Sequence, residues 1–392
     1  MYIRRELETE LKKLFKEYPV ITLTGPRQSG KTTTMRNIFP ELKYVSLENP
    51  NQRNLAILDP VKFLGNGKEP MIIDEIQRVP ELVSYIQGIV DDANRPGMFI
   101  ISGSQQFELT RTISQSLAGR TAILRLLPFT IDEAYTEKEN IDADQMMLHG
   151  FFPRVFIFNQ NPSKFYANYI ETYIRRDLNE FITVKNLNLF QKFLTLCAGR
   201  TGQIFIASTL ANEVGVSVKT IQSWLSVLEA SYIIFTLYPY HSNINKRLIK
   251  APKIFFYDVG LATYLQGITT TQQLSISPAR GNLFENMVVT EIKKFILNKG
   301  MIESLCFYRD SHHNEVDILT NNISDFNAIE IKSSETFSNQ QFKSLNYIRK
   351  ILPERTQKTI LCYDGIIEGD FKAHRIVNFR NIYSEMKKLS NL

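Results

Sequence analysis

Residues Gly25-Pro26-Arg27-Gln28-Ser29-Gly30-Lys31-Thr32 spell G-x-x-x-x-G-K-T directly after the apolar run Val20, Ile21, Leu23. Such a loop works where a buried strand breaks into a helix, because its N–H groups and the helix N-terminus then converge on phosphate oxygens. Gly25 and Gly30 let the backbone approach the phosphates, with Pro26, Arg27, Gln28 and Ser29 completing the cradle. Lys31 is expected to meet the β- and γ-phosphates and the Thr32 hydroxyl to ligate Mg²⁺. The expected cofactors are ATP and Mg²⁺. Met71-Ile72-Ile73-Asp74-Glu75 is a short apolar strand ending in two acids, the Walker B pattern, in which Asp74 holds Mg²⁺ and Glu75 polarises the attacking water. A third apolar run, Met98 to Ser102, ends in Gly103-Ser104, and Ser104 is the candidate sensor of the γ-phosphate.

A second constellation lies near the C-terminus. In Glu315-Val316-Asp317-Ile318-Leu319 acids alternate with apolar residues, and in Ala328-Ile329-Glu330-Ile331-Lys332 the charged pair does the same. With a period of two, Glu330 and Lys332 share one strand face. Pairing the two strands can bring Asp317 beside Glu330, with Lys332 one step along. Two carboxylates holding Mg²⁺ and a lysine that orients water is how a metal-dependent phosphodiesterase is built. Glu285, on the helix that opens at Arg280-Gly281-Asn282-Leu283-Phe284, can face the same point. The bland alternative is a pair of half-buried strands with charged solvent faces.

These residues need elements to position them. Ile3, Leu7, Leu11, Leu14 and Phe15 recur at helical spacing and predict an opening amphipathic helix. Strands at Val20–Thr24, Tyr44–Leu47, Pro70–Asp74, Met98–Ser102 and Ala122–Leu126 alternate with helices, which predicts a parallel sheet with ligand at its carboxyl edge. Residues 136–203 read as a helical lid, where Phe165, Tyr166, Tyr169, Tyr173 and Ile174 form an aromatic stripe expected to be core. Arg120, Arg175 and Arg176 are candidates for the arginine that stabilises transition-state charge. From 204 to 277 the chain reads as a winged helix. Ser208 to Val214, a turn at Gly215 and a Ser217 N-cap precede a helix with the apolar stripe Val218, Ile221, Leu225, Leu228 and the outward face Lys219, Gln222, Ser223, Ser226. Lys246, Arg247 and Lys250 fall in the hairpin that follows. The division is thus 1–135, 136–203, 204–277 and 278–392.

At 392 residues, 43% hydrophobic and 22% charged, the chain reads as globular with several domains rather than disordered. A net charge of +6 suits a polyanionic partner, nucleic acid with DNA favoured, without requiring one. No apolar stretch approaches the roughly 18 residues of a membrane span, and Met1 to Glu6 lacks a signal-peptide core, so a cytoplasmic protein is expected. Cys197, Cys306 and Cys362 have neither metal-ligand nor disulfide spacing and read as core residues.

The motifs Gly25 to Thr32, Ile73-Asp74-Glu75-Ile76-Gln77, Ser116-Leu117-Ala118-Gly119-Arg120, Tyr257-Asp258-Val259-Gly260-Leu261 and Arg280 to Glu285, with the Asp317, Glu330, Lys332 set, run end to end along the chain. Together they resemble the bacterial and archaeal AAA-type ATPases that carry a C-terminal domain of unknown function related to the restriction-endonuclease superfamily. The resemblance implies an α/β architecture: an AAA-type P-loop sheet with helical lid, a winged helix, and a restriction-endonuclease-like α/β domain. It also implies metal-binding roles for Asp317 and Glu330, a catalytic lysine at Lys332 and an accessory acid at Glu285. Val316 stands where that superfamily often has proline. Three functions stay open: an ATPase coupled to a Mg²⁺-dependent nuclease domain, an ATP-dependent switch whose nuclease-like domain is a silent partner-binding scaffold, and a ring-forming remodeller of proteins. For the last, a homo-oligomer, Phe63-Leu64-Gly65 has the aromatic-glycine pattern of a pore loop, but it is a common tripeptide and is expected to pack.

Overall fold

Strands β1 (Val20–Thr24), β2 (Lys43–Ser46), β3 (Met71–Asp74), β4 (Phe99–Gly103) and β5 (Thr121–Arg125) are short runs dominated by β-branched and other apolar residues. In this computed structural model, which describes residues 2–103, 116–135, 142–174, 187–240, 251–302, 304–321 and 325–390, they pair in the order β2-β3-β4-β1-β5, all parallel. The period of two sorts their side chains between two apolar layers. Ile21, Leu23, Ile72, Ile100 and Leu124 pack with Leu7, Leu11 and Met35. Val20, Ile73, Phe99 and Ile101 pack with Val83, Ile86 and Val90 of the helix Leu82–Ala93. Phe63 and Leu64 are buried in that second layer, so this tripeptide packs as expected, and Gly65 is the left-handed cap of its helix.

The helices Ala143–His149, Pro153–Ile157 and Pro162–Tyr169 follow, then a π-helical turn, Ile170–Ile174. Leu187–Ala198 precedes two helices, Ala207–Val214 and Val218–Ala230, joined at Gly215, whose φ of 86° only glycine adopts readily. Ser217 caps the second helix as expected. Its apolar stripe differs from the expected one: Val218 is 42% exposed and Trp224 is buried with Ile221 and Leu228. Lys219, Gln222, Ser223 and Ser226 do face solvent. Antiparallel strands β6 (Ile234–Leu237) and β7 (Lys253–Phe256) come next. The hairpin residues Lys246, Arg247 and Lys250 lie outside the described residues, as do Ser104, Arg175 and Arg176.

The C-terminal part is a six-stranded mixed sheet, ordered β12-β13-β11-β10-β9-β8, built from β8 (Leu305–Arg309), β9 (Glu315–Asn321), β10 (Phe326–Lys332), β11 (Thr356–Tyr363), β12 (Gly369–Phe371) and β13 (His374–Asn378). The helix Arg280–Asn298 buries fifteen of its 19 residues, because it is wedged among all parts of the chain. One continuous apolar core runs from Leu127 and Phe129 through Phe165 and Trp224 to Phe295 and Met386. Cys197, Cys306 and Cys362 are buried free thiols within cores. Among the described residues no helix is long and apolar enough to cross a membrane.

Candidate functional site

β1 ends at Thr24, and the chain turns at Gly25 with φ of 144°, so close to β5 that a Cβ there would stand 2.2 Å from the Leu126 carbonyl oxygen. That approach excludes every other residue. Gly30, at φ of 95°, starts the helix Lys31–Ile38. The Lys31 ammonium folds back to donate to the Gly25 and Pro26 carbonyls, both at 2.9 Å. Burial lowers its pKa to about 8, against the upward pull of Glu75 and Asp74.

At the carboxyl edge of the sheet, Asp74 gathers three hydroxyls. Thr32 donates to its Oδ2 at 2.6 Å, Tyr44 donates to the same oxygen at 2.8 Å, and Ser102 donates to Oδ1. Asp74 is therefore held rigid beside the helix N-terminus, where Thr32 and Asp74 together can take a divalent cation. Glu75, in a left-handed conformation with φ of 58°, accepts from the Gln77 amide. A cleft of about 530 Å³ opens here, lined on one side by Gly30, Lys31, Thr32 and Glu75 and on the other by Pro153, Arg154, Phe158 and Tyr173. Ser29 Oγ and Gln28 Oε1 are buried without hydrogen-bond partners among the described residues. A nucleotide triphosphate with its Mg²⁺ fits this donor set: a glycine cradle, one buried ammonium, a hydroxyl beside a carboxylate, and unspent polar atoms at the loop.

Three neighbours escaped the sequence reading. Tyr173 packs against the core as expected, beside Tyr169, and in addition accepts from Gln28 Nε2 at 2.7 Å and lies under the Arg27 guanidinium at 5.7 Å, so this segment closes onto the loop. Arg154 lines the same cleft, with its guanidinium over the Phe158 ring. Arg5, 3% exposed, donates to the carbonyls of Ser29 at 2.8 Å and Leu127 at 2.7 Å and pairs with Glu133 at 3.0 Å. It ties the loop to the exit of β5. Arg120, by contrast, pairs with Asp91 on the surface, and its carbonyl accepts from Val20 at the beginning of β1. It therefore occupies the amino edge of the sheet, opposite the nucleotide cleft, and is no arginine of this chain's own site.

The second constellation assembles as well. β9 and β10 pair antiparallel up to Ile318 and Ile329, and the next step sets Asp317 across from Glu330. Asp317 Oδ2 accepts from the Ile331 N–H at 2.8 Å. Lys332 Nζ is 2.6 Å from Glu330 and 4.0 Å from Asp317, and Ser344 donates to the other Glu330 oxygen at 2.7 Å. A further residue enters from β7. Lys253 Nζ lies 2.6 Å from Glu315, 2.9 Å from Glu285 and 4.0 Å from Asp317. A lone lysine in the apolar strand Lys253-Ile254-Phe255-Phe256 was the available signal, because a buried lysine requires anionic partners.

Burial, and then the Asp317 charge, push the Glu285 and Glu330 carboxyls far above the ordinary glutamate range, with Lys253 and Lys332 respectively opposing. Burial works against the Lys253 ammonium, but Glu285, Asp317 and Glu315 outweigh it and hold the amine protonated. Among the described residues no group of three or more His, Cys, Asp or Glu side chains is arranged to hold a metal ion. As arranged, the carboxylates that would ligate Mg²⁺ are spent on two lysines, a serine and a backbone N–H, and the set does not fit a resident divalent cation.

Residues 17–135 match the family model of the AAA domain, residues 140–272 a domain of unknown function (DUF8612), and residues 280–381 another domain of unknown function (DUF4143). An uncharacterized protein of Mycobacterium tuberculosis, Rv2008c, is 29% identical over 338 residues, covering 85% of this chain and 74% of that one. The uncharacterized MJ1637 of Methanocaldococcus jannaschii is 23% identical over 391 residues, covering 84% and 79%. Among solved structures, the Walker-type ATPase PABY2304 of Pyrococcus abyssi superposes with a TM-score of 0.47 at 16% identity, over 68% of this chain and 96% of that one. The N-terminal part of the chain is thus similar to AAA domains.

Proposed function

We propose that the AAA-type domain binds Mg²⁺-ATP in the cleft between residues 25–32 and 153–173 and hydrolyses it. The observation that carries this reading is the hydrogen bond from Thr32 to Asp74, which places a helix-terminal hydroxyl and a strand-terminal carboxylate together beside Lys31. When bound, the nucleotide supplies the phosphoanhydride to be cleaved and Mg²⁺ supplies charge that offsets its oxygens. The loop N–H groups and the Lys31 ammonium bind the phosphates. Thr32 and Asp74 orient the cation, Asp74 being fixed by Tyr44 and Ser102. Glu75, steadied by Gln77, takes a proton from the attacking water at its carboxylate. Arg154 and Tyr173 exclude solvent from the open side of the cleft.

For the remainder of the chain the spent carboxylates favour an ATP-dependent switch with a catalytically silent C-terminal domain over a Mg²⁺-dependent nuclease. The exposed face Lys219, Gln222, Ser223, Ser226 suits phosphate contacts, so DNA remains the proposed partner. Glu75→Gln is the test. It is expected to keep nucleotide binding while lowering turnover by about 10²–10⁴-fold, the usual worth of a general base. Full turnover in that variant removes Glu75 from the mechanism, and absence of nucleotide binding by the wild type removes the reading itself.

A further inference from the structure

β7 is fixed against the helix Arg280–Asn298 before Lys253 is considered. Asn286 accepts from the Phe256 N–H at 2.7 Å and donates to its carbonyl at 3.0 Å, while Thr290 donates to that carbonyl at 3.1 Å. On its other edge the strand bonds to the 202–205 segment through Ile254 and Pro252. Lys253 is thus delivered at a set height into the acidic centre, with its side chain 3% exposed and its ammonium nitrogen 5.5 Å from the centre of the Phe307 ring. Around Nζ stand carboxylates from three places in the sequence: Glu285 on the helix, and Glu315 and Asp317 on β9. The other Glu315 oxygen is taken by Arg309 at 3.3 Å. On the far side of Asp317, Glu330 is closed off by Lys332 and Ser344.

We infer that this centre is a cation site whose cation is the chain's own Lys253 ammonium, clasping β7 to the C-terminal sheet in the place where a divalent ion would otherwise be held. Oxygen atoms from several carboxylates converging on one point are what Mg²⁺ and Mn²⁺ require. A buried cluster of ionised acids needs cationic charge at its heart. A tethered ammonium meets that need at no cost in association, and its effective concentration excludes millimolar Mg²⁺ from the same oxygens. The inference concerns the C-terminal centre alone and stands whatever the AAA-type domain does with nucleotide.

The test uses the full chain without nucleotide and Mn²⁺ as the probe, read by the loss of the free Mn²⁺ paramagnetic signal and by thermal unfolding. Lys253→Met is expected to gain one equivalent of Mn²⁺ that disappears when Asp317→Asn is added, and its unfolding temperature is expected to rise with Mn²⁺. Wild type and Lys253→Arg should show no Mn²⁺ uptake that depends on Asp317. The inference is overturned if wild type binds Mn²⁺ in an Asp317-dependent manner, or if folded Lys253→Met gains no site. Should Lys253→Met fail to fold even with Mn²⁺, the wild type against Asp317→Asn decides alone: equal Mn²⁺ uptake supports the clasp and a difference overturns it.

Discussion

Replacing Lys31 by methionine should raise the stability of the nucleotide-free protein while abolishing its response to ATP. Among the described residues the Lys31 ammonium is buried with only the Gly25 and Pro26 carbonyls as direct partners, and burial takes its pKa from 10.5 to about 8. That displacement corresponds to about 3 kcal/mol of penalty for keeping the charged form in the folded state. The sign follows from a base with a lowered folded pKa. Below about pH 8 both folded and unfolded chains carry the proton and the full penalty applies; it fades between about 8 and 10.5 as the folded lysine releases its proton first. Methionine fills similar volume without charge and forfeits two hydrogen bonds worth about 1 kcal/mol each. A net gain of about 1 kcal/mol remains, or roughly 2–4 °C in a domain of this size. With nucleotide at a hundred times its Kd the wild type gains about 2.7 kcal/mol and the variant nothing, so the order of stability inverts. Thermal unfolding at pH 7, with and without Mg²⁺-ATP, reads both arms. A nucleotide-free Lys31→Met that melts well below wild type refutes the account of Lys31 as a strained cation held ready for phosphate.

Phosphates should draw the Lys31 pKa back up, so nucleotide affinity is expected to fall as pH rises through about 8, with proton uptake on binding. Titration calorimetry in buffers of different ionisation enthalpy measures that uptake, and pH-independent affinity with no uptake contradicts it. Gly150→Ala is expected to cost about 3 kcal/mol or more. Gly150 has φ of 62°, and an added Cβ would lie 1.9 Å from Tyr166 Oη and 2.4 Å from Asp258 Oδ1, two atoms joined by a buried 2.6 Å hydrogen bond. Denaturant unfolding gives the value, and a loss below 1 kcal/mol would show that this junction yields easily.

The Gly25–Thr32 loop, its strand and its helix were legible because each demands particular residue types at fixed spacing, and Asp74 at a strand end follows from the same logic. The approach of Asp317 to Glu330 was legible from a period of two on adjacent strands. Lys253 was not, because its partners lie 32 to 64 residues away and meet it only after β7 has docked on the helix Arg280–Asn298. Tyr173 reads in sequence as one more member of an apolar stripe. Only the π-helical turn Ile170–Ile174 at the end of that stripe, and the placement of the lid, reveal that its hydroxyl meets Gln28. Arg120 fails as a candidate for a topological reason: a parallel sheet separates its two edges, and a residue preceding a strand cannot reach a ligand held where strands end.

The helix Arg280–Asn298 imposes an order on biosynthesis. The Phe129 carbonyl is bonded at 2.6 Å by Lys294, and the Ile131 N–H at 2.9 Å by Glu291, partners 165 and 160 residues further along the chain. At about 5–20 residues per second of translation, the segment that follows β5 waits on the order of 8–30 s on the ribosome before the groups that bond it are made. For that interval the nascent N-terminal domain exposes the apolar seat formed by Leu127, Phe129, Ile131 and Tyr135, which the finished chain buries in its continuous core. An AAA-type domain cut from this chain near residue 135 would carry the same open seat permanently, so its natural folding unit is longer than its nucleotide site.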